Sequence, residues 1–66
     1  MPLSPSKIKR LRQQTGKTQT EAGRDIHVSM RTWQGWEAPA GTMNHRVMPE
    51  MAIELFCIKN KIKYPP

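Results

Sequence analysis

The chain has 66 residues, which is one domain (1–66), and at that size only roughly 60% of the unfolded surface is buried, so an enclosed catalytic pocket is not expected. The single cysteine, Cys57, cannot form an internal disulfide, and neither His27 nor His45 has metal-ligand spacing to other residues, so no metal or cofactor is expected. Eleven Lys and Arg against five Asp and Glu give a net charge of +6, which favours a polyanionic partner, and no apolar run nears the roughly 20 residues of a membrane span.

The N-terminal stretch MPLSPSKIKRLR lacks the apolar region of a signal peptide, so a reducing cytoplasm is the expected location. Ser4-Pro5 reads as a helix start, with a serine N-cap and proline at the first helical position. The segment to Thr15 carries Ile8 and Leu11 on one narrow stripe, among Lys7, Lys9, Arg10 and Arg12. Gly16 ends it, since glycine accepts the left-handed conformation of many helix C-termini. Thr18-x-x-Glu21 is a capping box and opens a second helix with Ala22 and Ile26 facing inward. Gly23 costs about 1 kcal/mol relative to alanine in mid-helix and so suggests close approach by another helix.

His27-Val28 is read as a tight turn, and Ser29 as the cap of a third helix running to Glu37 or Ala38. That helix carries Trp33 and Trp36 on one side and Met30, Arg31, Gln34 and Gly35 on the other. Pro39, Gly41 and Asn44 make 38–45 a loop. A last helix starts near Val47 or Pro49, with Met48, Met51, Ala52, Leu55, Phe56 and Ile62 at helical spacing. Residues 47–62 fit either one helix or two. Five methionines suit an adaptable core or a dimer patch. The fold class is therefore all-α, a small bundle of four to five helices containing a helix-turn-helix.

Three motifs, Thr18-Gln19-x-Glu21, Val28-Ser29-x-Arg31-Thr32 and Trp36-Glu37-Ala38, resemble the lambda-repressor/Cro-like helix-turn-helix proteins of phages and bacterial regulators. Ile8-Lys9-x-Leu11-Arg12 and Gly16-x-Thr18-Gln19 extend the likeness upstream, so it covers Lys7 to Ala38, about half the chain. Arg46-x-Met48-Pro49 followed by Glu54-Leu55-Phe56 is similar to the tails of small phage-type members. The resemblance implies a bundle of about five helices that binds a palindromic double-stranded DNA operator as a homodimer, inside a bacterial or phage-infected cell. It implies that the third helix lies in the major groove. By the same resemblance Gln19, beside Thr18, holds the DNA backbone from the start of the second helix. Ser29, Met30, Arg31, Gln34 and Gly35 face the groove, Thr32 and Arg12 touch phosphate or lie near it, and Ala22, Val28, Trp33 and Trp36 pack inside. The chain departs from the family pattern with His27 at a turn glycine, Gly23 at a helix alanine, Trp33 at a small branched residue and Pro39 at a glycine. The space left by Gly23 is expected to receive the Trp33 indole.

Arg31 and Gln34 have the chemistry for bidentate contacts to guanine and adenine. On an arbitrary exposed helix the same two residues are solvated polar groups, and the motif is what tips the reading to base contact. Met30 fits a thymine methyl or an ordinary exposed position. Gly35 is expected to let the helix sit close to DNA. The basic residues Lys7, Lys9, Arg10, Arg12, Lys17 and Arg46 suit phosphates or plain solvent equally. The expected function is a sequence-specific DNA-binding transcriptional regulator, a phage or prophage Cro-like repressor. The rival is a protein-interaction module of the same fold, such as an antitoxin binding a toxin protein, which an exposed Met/Phe/Ile surface on the last helix would favour. No nucleophile–base pair, carboxylate pair or phosphate loop suggests an enzyme.

Overall fold

The computed structural model describes residues 3–66; Met1, one of the five methionines, lies outside them. Four helices follow one another: α1 (Pro5–Gln14), α2 (Gln19–Asp25), α3 (Met30–Glu37) and α4 (Glu50–Lys59). The described residues contain no strand, so the fold is an all-α bundle. The segment 47–62 holds one helix and a non-helical tail.

The helix starts follow from local chemistry. Ser4 Oγ accepts from the Lys7 amide at 3.3 Å, with Pro5 at the first helical position. Thr18 Oγ1 accepts from the Glu21 amide at 3.2 Å while Glu21 Oε1 accepts from the Thr18 amide at 2.8 Å, completing the capping box. Ser29 Oγ accepts from the Thr32 amide at 3.2 Å and so opens α3. Only α4 starts without a side-chain cap, at Pro49.

The ends share one device. Gly16, with φ +72°, closes α1. After α2 and α4 the left-handed position falls on His27 (φ 64°) and Lys61 (φ 57°), where an L-residue costs roughly 1–2 kcal/mol. Paired backbone bonds offset that strain. The Val28 amide donates to Gly23 O at 2.9 Å and the His27 amide to Arg24 O at 3.3 Å; Ile62 donates to Cys57 O at 2.8 Å and Lys61 to Ile58 O at 3.3 Å. His27 thus holds a left-handed conformation that glycine takes more readily.

The core is built around Trp33, which is fully buried, with its ring 5.4 Å from that of Trp36 and 5.0 Å from that of Phe56. Ile8 and Leu11 of α1, Ala22 and Ile26 of the α2 region, Met48, and Ile53 and Cys57 of α4 surround it. Both tryptophans are core residues, as the spacing predicts. Cys57 is buried, and burial raises its thiol above its usual value.

Two expectations are corrected. The inward face of α4 is Ile53, Phe56 and Cys57, whereas Met51 (81% exposed) and Leu55 (36%) face solvent. Helical spacing alone could not choose, because α4 is apolar on both sides. Gly23 makes room for backbone, not for the indole: a Cβ there would lie 2.8 Å from Val28 O and 3.2 Å from Ser29 O. The missing methyl therefore sets how closely the α2–α3 turn folds back on α2, and no second helix fills the space.

Candidate nucleic-acid interface

Helix α3 is held against the other helices by one carboxylate. Glu37, at its C-terminal end, is 5% exposed and accepts from Arg12 Nε at 2.6 Å, Arg12 Nη2 at 3.1 Å, Gln19 Nε2 at 3.2 Å and Trp33 Nε1 at 2.5 Å. Those donors come from α1, α2 and α3 itself, so the three helices meet at a single charge. Burial pushes the Glu37 carboxyl upward, but the bonds from Arg12, Trp33 and Gln19 outweigh it and leave the group below its usual value. The same pair raises the Arg12 guanidinium above its ordinary value. A second tie joins Lys17 Nζ and Asn60 Nδ2 to Asp25, the latter at 3.1 Å.

The outer face of α3 borders a trough of about 950 Å³. One wall is Ser29, Arg31, Thr32, Gln34 and the backbone of Gly35; the other is the returning segment Asn44, Arg46, Val47 and Pro49, with Lys9 and Gln19 at the margin. The returning segment is fixed by the Arg46 amide, which donates to Gly35 O at 2.9 Å. Arg46 Nη1 in turn donates to His45 O at 3.0 Å, which orients the guanidinium. Arg31 and Gln34 are exposed, one helical turn apart, and among the described residues neither side chain has an intramolecular partner. Lys9, Arg31 and Arg46 give the trough a positive rim, and its one acid, Glu37, is already neutralised by Arg12.

The trough thus gathers six of the nine residues expected from sequence: Gln19, Ser29, Arg31, Thr32, Gln34 and Gly35. Ser29 and Thr32 also bond each other, Oγ to Oγ1 at 3.1 Å, as part of the α3 cap. Thr18 caps α2 away from the trough, and Met30 is 44% exposed on the first turn of α3 but does not line it.

Arg12 is not available to phosphate, because its guanidinium is committed to Glu37 and, through Nη1, to Lys17 O at 2.9 Å. Gly35 is not open to the groove. It is buried, and a Cβ there would lie 3.1 Å from Asn44 O and 3.3 Å from Arg46 Cγ. Its bare backbone receives the 44–46 segment. The residues missed by sequence are Asn44 and Val47 on the far wall and Glu37 as the organising charge. Asn44 and Val47 sit in a loop with no period, and Glu37, although within a quoted motif, meets Arg12 across 25 positions, so no local signal marks it as the partner of Arg12.

Compared with known protein families, with curated proteins and with solved structures, the chain gives no match. No helix among the described residues is long and apolar enough to cross a membrane. No group of three or more His, Cys, Asp or Glu among them could hold a metal ion.

Proposed function

We propose that the chain is a sequence-specific double-stranded DNA-binding protein, a cytoplasmic transcriptional regulator of the phage or prophage Cro-like kind that binds its operator as a homodimer. The observation that carries this reading is the pair Arg31 and Gln34. They are unpartnered and exposed on a short serine-capped helix, beside a trough rimmed by Lys9 and Arg46. In this reading the outer face of α3 enters the major groove and one phosphate strand runs along the trough. Arg31 reads guanine and Gln34 adenine through bidentate hydrogen bonds, while Lys9, Arg46 and the Ser29 and Thr32 hydroxyls hold the backbone. Met30, at the edge, is placed for apolar contact with a thymine methyl. Binding blocks or competes for a promoter.

Arg31→Ala and Gln34→Ala test this directly, because neither side chain supports the fold. Each is expected to lose roughly 1–3 kcal/mol on the best site and to relax preference at one base position. Unchanged affinity and selectivity in both would remove α3 as the reader. The protein-partner reading has one observation in its favour: Val47 (62%), Met51 (81%) and Ile58 (64%) are exposed on and next to α4. Phe56, which that reading also needs at the surface, is fully buried.

A further inference from the structure

Helix α4 is apolar on two opposite faces, and the described residues cover only one. Ile53, Phe56 and Cys57 fill the core, while Met51, Leu55 and Ile58 lie on the opposite side, 81%, 36% and 64% exposed. The surface charges beside this face are ordered. Glu54, exposed, immediately precedes Leu55, and Lys59, exposed, immediately follows Ile58. Met51, Leu55 and Ile58 are spaced four and three apart, which is the spacing of a coiled-coil seam. On that register Glu54 and Lys59 fall on opposite flanks of the seam.

We infer that the outward face of α4 is a homodimer interface in which two copies of α4 pack in parallel through Met51, Leu55 and Ile58. Charge complementarity chooses both the occupant and the direction. In a parallel pair related by a two-fold axis along the helices, the Glu54 flank of each copy meets the Lys59 flank of the other, five positions on, giving two opposite-charge pairs. In an antiparallel pair each flank meets its own copy, so Glu54 faces Glu54. A second copy of this chain therefore satisfies the face on its own, with no additional charge needed from a foreign protein. Val47, 62% exposed, lines the trough and lies in the non-helical segment that leads into α4, four positions before Met51. A seam of three side chains is smaller than the roughly 800 Å² per partner of a standard interface, so the dimer is a weak one that DNA reinforces.

This inference deepens the homodimer of the proposed function, and its test uses the full chain without DNA, so the two can fail separately. Sedimentation equilibrium up to about 1 mM is expected to show a reversible monomer–dimer equilibrium. Met51→Lys and Ile58→Glu, both at exposed positions, are each expected to weaken association at least about tenfold while circular dichroism keeps the parent's melt. Glu54→Lys alone and Lys59→Glu alone are expected to weaken the dimer, and the two together to restore it. A parent chain that stays monomeric, or seam variants that associate as tightly as the parent, overturns the interface. A Glu54→Lys variant that associates as tightly as the parent overturns the parallel arrangement, because an antiparallel pair holds like charges opposite each other at this position before and after the change. A monomeric parent that binds a toxin-like protein through Met51 and Ile58 would give the face to a foreign partner.

Discussion

Replacing Glu37 by glutamine should remove the largest single polar contribution to this fold. Two donors converge on each oxygen of the carboxylate: Arg12 Nη2 and Gln19 Nε2 on Oε1, Arg12 Nε and Trp33 Nε1 on Oε2. A glutamine keeps the shape but turns one of those oxygens into an amide nitrogen. Whichever end carries it, two donors then face a donor, and Arg12, only 14% exposed, keeps a charge with no counter-ion. Breaking a buried pair in this way costs about 3–5 kcal/mol, a large share of the roughly 3–10 kcal/mol expected of 66 residues. At about 4–8 °C per kcal/mol for a domain this small, the melting midpoint should fall by at least about 12 °C. Thermal and urea melts followed by circular dichroism measure it. The pH dependence checks the cause independently. The carboxyl is held below its usual value when folded, so its stabilisation is complete above the unfolded value near 4.5 and is lost as pH falls through the folded one. The parent should therefore lose stability steeply on the acid side, and Glu37→Gln should show a shallower limb. A loss under about 1 kcal/mol with an unchanged acid limb would refute the view that Glu37 joins the three helices.

Gly23→Ala should destabilise the fold by about 1–2 kcal/mol despite alanine's helix preference, since its Cβ would meet the Val28 carbonyl at 2.8 Å; a more stable variant, by urea melt, would contradict the turn geometry. Trp33→Ala should cost about 3–5 kcal/mol and leave little folded protein by circular dichroism, as should Trp36→Ala, and a folded variant that fails to bind DNA would make its tryptophan a contact residue. Specific DNA binding should weaken steeply with salt, with a log–log slope on the order of −4 to −8 for a dimer, and a flat titration would remove the electrostatic basis of the reading.

How much of this was readable from the chain depends on distance along it. The starts of α1, α2 and α3 were readable because Ser4, Thr18 with Glu21, and Ser29 bond within three residues. Trp33 and Trp36 were readable as core because α3 is polar on its other side. The α4 face was not, because Met51 and Leu55 are as apolar as Ile53 and Cys57, and only the packing of α1–α3 selects between them. Gly35 was misread because its partner is a loop that returns nine and eleven positions later, at Asn44 and Arg46. Arg12 was misread for the same reason: a basic residue on α1 looks free until Glu37 is folded against it. The site's positive rim was partly readable from composition, but the trough itself exists only once the Asn44–Val47 wall closes on α3.

The central claim is that α3 reads a DNA sequence, and the most direct measurement is selection of random duplex DNA by the purified full chain. The account predicts enrichment of one short motif in two inverted copies, with Arg31→Ala and Gln34→Ala each losing a defined base in both halves. No enrichment above random sequence, or the same motif recovered by both variants, would contradict it.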